Sequence, residues 1–222
     1  SAYIEKAKVL EKVGRLNEAI DNFRLSIELS EPNSHIYFRI AKCYKKLNNI
    51  KLFLDYIKKS VREEPGNEKA WIYLIKYYIN KKNYRQSKYL SYKALNNNHN
   101  SIKILELISI IYYETQCYEN SIKFYNQILD FKENISWRIW KGYIKCLIDA
   151  KRWSDLLKVS LKAKKHYPNK AFIDFTISGC LLKHGKLNEA IYFFQSGNKV
   201  CRVPTKLIKS FPEFTKNKAL LV

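Results

Sequence analysis

The chain contains an internal repeat with a period of about 34 residues. The segments VGRLNEAI (residues 13–20) and HGKLNEAI (residues 184–191) match closely and lie 171 positions apart, which is five such periods. Four further units fill the interval. Because a fixed period defines the whole architecture of a repeat protein, the sequence predicts six similar structural units.

Each unit holds a bulky residue that closes a turn, followed three positions later by a second residue that is typically small. The bulky residues succeed one another at steps of 34, 34, 34, 35 and 34. The six pairs are Leu16 and Ala19, Ile50 and Phe53, Tyr84 and Ser87, Tyr118 and Ser121, Trp153 and Leu156, and Leu187 and Ala190. Four positions beyond each pair come Phe23, Ile57, Ser91, Tyr125, Ser160 and Phe194.

Upstream of each pair in the middle units, apolar and aromatic residues follow the i, i+3, i+4, i+7 spacing of one helix face. Tyr37, Ile40, Ala41 and Tyr44 are one example. Each unit is therefore predicted to be two antiparallel helices. The positions of Pro32, Pro65 and Pro168 predict that the second helices of their units end just before them.

In period and pattern these units resemble the tetratricopeptide repeat family, over roughly residues 1–200. The resemblance implies an all-α, right-handed superhelical solenoid of tandem helix-turn-helix repeats, whose first helices line a concave groove. The repeats are predicted to span residues 1–33, 34–66, 67–101, 102–136, 137–170 and 171–202, which together form an array over residues 1–202. Because Ser1 would already lie inside a helix, we expect the chain to be a fragment of a larger protein.

Residues 203–222 are predicted to be a capping segment with one short helix. Pro212 prevents a complete seventh repeat, and the last hairpin needs cover for its apolar face. Leu207, Ile208 and Phe211 are the residues expected to provide that cover.

The formal net charge of +21 is unevenly distributed. Residues 34–101 carry +11 and residues 137–170 carry +8, whereas residues 102–136 carry −2. So large a positive charge attracts acidic proteins and polyanions. A solvated, generally Lys-rich surface is the alternative interpretation of the same residues.

By resemblance to the family, the groove is lined by first-helix residues outside the apolar stripe. The predicted ligand-binding residues are Phe38, Arg39, Lys42, Lys45, Lys46, Lys69, Tyr73, Lys76, Arg138, Lys141 and Lys145. The same argument places Phe172, Phe175, Thr176 and Lys183 in the groove of the last repeat. Trp71 and Trp140 are predicted to be core residues instead.

No arrangement typical of catalysis or metal binding is present in the sequence. The four histidines are far apart, and Gly-rich phosphate loops, G-x-S-x-G and H-E-x-x-H are absent. The five cysteines are odd in number and widely spaced, which favours a reducing compartment, here the cytoplasm. Cys43, Cys146 and Cys180 recur at one repeat position, which predicts buried fillers. We therefore predict no catalytic residue, no metal and no cofactor.

These patterns predict a non-catalytic scaffold that binds an acidic peptide or protein in a basic groove. One alternative is a module that grips an anionic polysaccharide for a larger glycosyltransferase or capsule-type polymerase. A further alternative is binding of single-stranded nucleic acid, which is less favoured because Lys outnumbers Arg in the predicted groove. No stretch is apolar enough to span a membrane, which leaves peripheral contact with anionic lipid as the membrane option.

Overall fold

The computed structural model describes residues 2–29, 33–131, 134–217 and 220, and within these residues the chain is all-α, without a strand. Twelve helices of 12 to 14 residues follow one another. They are α1 (Ala2–Val13), α2 (Leu16–Glu28), α3 (Ser34–Lys46), α4 (Ile50–Glu63), α5 (Glu68–Asn80), α6 (Tyr84–Asn97), α7 (Ile102–Glu114), α8 (Tyr118–Asp130), α9 (Trp137–Asp149), α10 (Trp153–His166), α11 (Ala171–Lys183) and α12 (Leu187–Asn198). The prediction of an all-α chain of tandem helical hairpins is confirmed.

Two short helices, α13 (Thr205–Ser210) and α14 (Glu213–Lys216), follow the last hairpin. The prediction of one short helix in this segment is wrong, because the structure has two. Phe211, between them, has φ −128° and ψ 76°, because a residue before proline is disfavoured in the helical region. Pro65 and Pro168 each come two residues after the end of their helix, as predicted. Ser1 and Pro32 lie outside the described residues.

The chain divides into two compact units, residues 1–111 (unit 1) and residues 112–222 (unit 2). The exact ends of the individual repeats and of the capping segment remain predictions.

Every hairpin turns through one residue in the left-handed backbone region. These residues have φ between 56° and 90° and are Gly14, Asn48, Lys82, Gln116, Lys151 and Gly185. Each lies two positions before the first residue of the second helix, and that first residue is in every case the bulky residue of the repeat pattern. The turn is therefore the same in all six hairpins, although only the first and last have glycine, which adopts this conformation without steric cost.

The repeat pattern also marks the core. The residues three positions after the bulky one all have no exposed surface: Ala19, Phe53, Ser87, Ser121, Leu156 and Ala190. The residues at the next recurrent position, four further along the helix, are buried as well: Phe23, Ile57, Ser91, Tyr125, Ser160 and Phe194. Trp71 and Trp140 are 2% and 4% exposed, so their assignment to the core is confirmed.

A buried polar cluster joins the second hairpin of unit 1 to the third. Ser34 Oγ donates to the Ser60 carbonyl at 3.0 Å, and Ser60 Oγ donates to the Ser34 carbonyl at 2.9 Å. Asn67 Nδ2 donates to Ser34 Oγ at 2.8 Å, while its Oδ1 accepts from the Ala70 amide at the start of α5. Because buried polar groups are costly unless satisfied, this cluster fixes how α3, α4 and α5 meet.

In unit 2 the C-terminal segment covers α11. The Phe211 ring lies where Gly179 has no side chain, and a Cβ at Gly179 would come within 2.5 Å of it. Phe214 packs against Phe194 with ring centroids 5.3 Å apart, and Lys183 Nζ contacts Glu213 Oε1 at 2.8 Å. Leu207, Phe211 and Phe214 are buried.

Sequence reasoning named two of these three apolar residues. It missed Phe214, and it named Ile208, which is only half-buried.

The left-handed turn gives a sharp test of the fold, since Gly14 and Gly66 have the same free space around them but differ in backbone conformation. A Cβ would meet no atom within 4 Å at either position, but only Gly14 has a positive φ, +90°. We expect Gly14→Ala to lower the free energy of unfolding by about 1 kcal/mol, measured by urea denaturation. The control Gly66→Ala should leave stability unchanged or raise it by about 0.5 kcal/mol. Equal effects of the two substitutions would contradict the turn assignment.

Candidate functional site

The candidate site is a surface cavity of about 600 Å³ in unit 1, here called the basic pocket. It is lined by Lys8 of α1, by His35, Phe38, Arg39 and Lys42 of α3, and by Lys69, Ile72 and Tyr73 of α5. These are the first helices of three successive hairpins. The residues of α3 and of α5 recur at intervals of three and four, so each set lies on one face of its helix.

A buried carboxylate holds two of the cations in place. Glu11 of α1 is only 7% exposed. Its Oε2 accepts from Arg39 Nη1 at 2.7 Å, and its Oε1 accepts from Lys42 Nζ at 3.0 Å. The pair of contacts joins the first hairpin to the second. It also neutralises part of the charge that the sequence assigned to the groove.

Two opposing effects act on the pKa of Glu11. Burial raises the pKa, since it disfavours the charged carboxylate, but the hydrogen bonds and positive charges of Lys42 and Arg39 lower it by more. The pKa of Glu11 therefore lies below its ordinary value of 4.5, and the side chain is a carboxylate at neutral pH.

Aromatic rings form the apolar part of the pocket. The Phe38 and Tyr73 rings pack edge to face, with their centroids 5.2 Å apart. Lys45 Nζ lies 5.0 Å from the Tyr73 centroid and 5.6 Å from that of Phe53. Such a position suits a cation–π contact, so Lys45 supports the Tyr73 ring rather than lining the pocket.

The pocket brings together five of the eight site residues predicted in unit 1, namely Phe38, Arg39, Lys42, Lys69 and Tyr73. Lys46 and Lys76 are exposed and are not among the lining residues. Sequence reasoning missed Lys8 and, above all, Glu11. The sequence did contain one signal for Glu11, because it lies four positions after Ala7 and seven after Ile4, and residues at those spacings share a helix face.

The three site residues predicted in unit 2 are arranged differently. Lys141 and Lys145 line a smaller cavity of about 300 Å³ together with Phe172, and the C-terminal segment contributes Pro204, Lys206, Leu207 and Ser210 to its lining. Arg138 is exposed and does not line this cavity.

Two groove expectations for the last repeat are wrong. Phe175 and Thr176 have no exposed surface. The Phe175 ring packs against Phe194 at 5.5 Å and against Gly197, where a Cβ would come within 2.9 Å of it. Thr176 turns its hydroxyl back to the Phe172 carbonyl at 2.7 Å.

The cysteines at the recurrent position are all fully buried. Burial raises the pKa of Cys43 and of Cys146 to about 11 and that of Cys180 to about 12, so these thiols are protonated at neutral pH. Protonated, buried thiols act as small apolar fillers. Among the described residues, no three His, Cys, Asp or Glu side chains lie close enough to hold a metal ion, and no helix is long and apolar enough to cross a bilayer.

Comparisons with known proteins agree with the observed fold. The family model of the tetratricopeptide repeat matches residues 1–33 and 34–67. A comparison with curated protein sequences finds no significant match.

Three solved structures illustrate the similarity of fold. YrrB, described as a TPR protein with an unusual peptide-binding site, is 13% identical with a TM-score of 0.67, over 88% of this chain and 98% of that one. PilF of Pseudomonas aeruginosa is 11% identical with a TM-score of 0.68, over 98% and 96%. The C-terminal part of a TPR protein from Cytophaga hutchinsonii is 16% identical with a TM-score of 0.71, over 89% and 79%.

The buried carboxylate predicts a pH-dependent stability. Glu11→Gln removes the charge but keeps the side-chain shape, and it should lower the free energy of unfolding at pH 7 by about 1–3 kcal/mol. Because the folded pKa of Glu11 lies below its unfolded value, this stabilisation is present above about pH 4.5 and disappears as the pH falls through the folded pKa.

Urea denaturation over a pH series measures the difference between wild type and variant. The difference in the free energy of unfolding should disappear in acid. A difference that is the same at every pH would contradict the ion pairs of Glu11. Glu5→Gln is the control, because Glu5 pairs with Lys8 at an exposed site and should contribute little.

Proposed function

We propose that this member of the tetratricopeptide repeat family is a non-catalytic scaffold that binds an acidic peptide or protein segment in the basic pocket of unit 1. Tandem repeats of this family are protein-interaction scaffolds. An acidic ligand is proposed because cationic side chains from three first helices line one pocket together with an aromatic pair, Phe38 and Tyr73.

The charge and the apolar wall together select the ligand. Lys8, Arg39, Lys42 and Lys69 line the pocket, and no carboxylate does so among the residues that the structure describes. Acidic side chains of a ligand would therefore meet cations on both sides of the pocket. The Phe38 and Tyr73 rings and Ile72 offer contact to an apolar side chain, as in grooves that hold peptides. The peptide-binding site of YrrB, a protein of the same fold, supports this class of ligand.

A long polyanion fits this pocket less well than a peptide. Two of its cations already pair with Glu11, and Lys8 pairs with Glu5 at 2.6 Å. The affinity for a polyanion increases with each side-chain cation that displaces a counterion from the polymer. Cations that are already paired within the protein contribute less to this affinity. For this reason we place the polysaccharide and nucleic-acid alternatives below the acidic peptide at this site.

The best probe of the pocket is Lys69, which is exposed and forms no ion pair with the described residues. Lys42 is a poor probe, because Lys42→Glu would set a second carboxylate against buried Glu11. The matched control is Lys51→Glu, an equal charge change at an exposed residue of α4 outside the pocket.

We expect Lys69→Glu to weaken binding of a labelled peptide that alternates Glu and Leu roughly tenfold, from the loss of one attraction and the gain of one repulsion. Fluorescence anisotropy at fixed salt measures the affinity. The control should lose far less. Equal losses from the two variants would mean that only net charge attracts the peptide, and the basic pocket would not be its site.

A further inference from the structure

The positive charge of unit 1 has a second concentration, on the face formed by the second helices. Two depressions lie there, of about 430 and 500 Å³. The first includes Lys58 and Arg62 of α4, and the second includes Arg85, Lys88, Tyr89 and Tyr92 of α6. Lys93 lines both, so the two are adjacent. These five cations and two tyrosines are called the outer patch.

The helical period of α6 explains why these side chains share one surface. Ser87, Leu90, Ser91 and Ala94 are the buried residues of this helix. The remaining positions Arg85, Lys88, Tyr89, Tyr92 and Lys93 recur at intervals of three and four on the opposite side. They are all exposed, Tyr89 to 61% and Tyr92 to 36%. The sequence pattern of the core therefore leaves a stripe of alternating rings and cations on α6.

The charge of the outer patch is less compensated than that of the basic pocket. Lys58, Arg62, Arg85 and Lys93 form no ion pair with any residue that the structure describes. Among the described residues, no carboxylate lines either depression. In the pocket, by contrast, Glu11 binds both Arg39 and Lys42. Uncompensated like charges repel one another, and an anionic ligand would remove that repulsion.

We infer that the outer patch binds single-stranded nucleic acid. Cations along a track and exposed rings beside them are the two elements by which proteins hold a single strand without reading its sequence. The cations of α4 and α6 would contact phosphates, and Tyr89 and Tyr92 would stack on bases. From Arg85 to Asn97, α6 rises roughly 18 Å, which is room for several nucleotides.

Other anionic partners account for the outer patch less completely. A membrane-surface helix places large apolar side chains such as Trp, Phe or Leu on the face that enters the lipid. The exposed stripe of α6 has Tyr, Lys, Arg and Asn96 instead. In the α6 depression the two tyrosine rings lie among cations, and none of the described residues that line it is aliphatic, unlike Ile72 in the basic pocket. The rings therefore suit the flat face of a base better than the apolar side chain of an acidic peptide.

The experiment measures binding of labelled oligo(dT) to the full chain by fluorescence anisotropy over a range of salt concentrations. For single strands the slope of log affinity against log salt is about −0.7 per phosphate contact. Arg62→Gln combined with Lys93→Gln should reduce the magnitude of this slope by about 1.4. Tyr89→Ala combined with Tyr92→Ala should weaken binding roughly tenfold or more with the slope unchanged, since stacking releases no counterions.

The matched control is Lys51→Gln combined with Lys81→Gln, which makes the same charge change at two exposed residues outside the basic pocket and the outer patch and should preserve the slope. The inference is overturned if this control changes the slope as much as the α4–α6 variant, if the tyrosine variant binds as the wild type does, or if phosphatidylserine vesicles bind and oligo(dT) does not. The peptide proposal is tested separately, by Lys69→Glu with the Glu/Leu peptide, so failure here is distinguishable from failure of that proposal.

Discussion

A single helical hairpin of this size cannot bury both of its apolar faces, so each hairpin must pack against its neighbours. Ala19, Phe53 and Ser87 are fully buried at the same place in three successive hairpins of unit 1, and Ser121, Leu156 and Ala190 repeat this in unit 2. Burial at a fixed position in every hairpin commits one stripe of each helix to its neighbours. The remaining positions must lie on first-helix or second-helix surfaces. The core pattern therefore also decides where the charged residues can go.

In unit 1 this sorting divides the charge between two surfaces of different character. On the first-helix surface the buried carboxylate of Glu11 fixes Arg39 and Lys42. A buried charge must keep its partners, so these two cations are part of the structure as well as of the pocket. On the second-helix surface, Arg62 and Lys93 carry charges that no described residue balances. We expect the compact, partly neutralised pocket to select a short acidic ligand and the longer row of cations on α4 and α6 to suit a polymer.

Sequence reasoning was most successful where the repeat encodes the same feature six times. The first residue of each second helix, the buried positions after it and the two core tryptophans followed from period and spacing alone. It failed where a side chain chooses a partner across hairpins. Glu11 pairs with residues 28 and 31 positions away. Phe175 is buried because Gly197, on another helix, leaves room for its ring. Such pairings depend on packing in three dimensions, which no local pattern of the first helix contains.

Unit 1 is thus proposed to have two separate anion-binding surfaces, one on its first helices and one on its second helices. The most direct measurement is an NMR titration of the isotopically labelled chain, with the acidic Glu/Leu peptide and with oligo(dT) in separate experiments. We expect the peptide to shift the amide signals of Phe38, Lys69 and Tyr73, and the oligonucleotide to shift those of Arg62, Tyr89 and Lys93. Shifts of one common set of residues by both ligands would contradict this proposal.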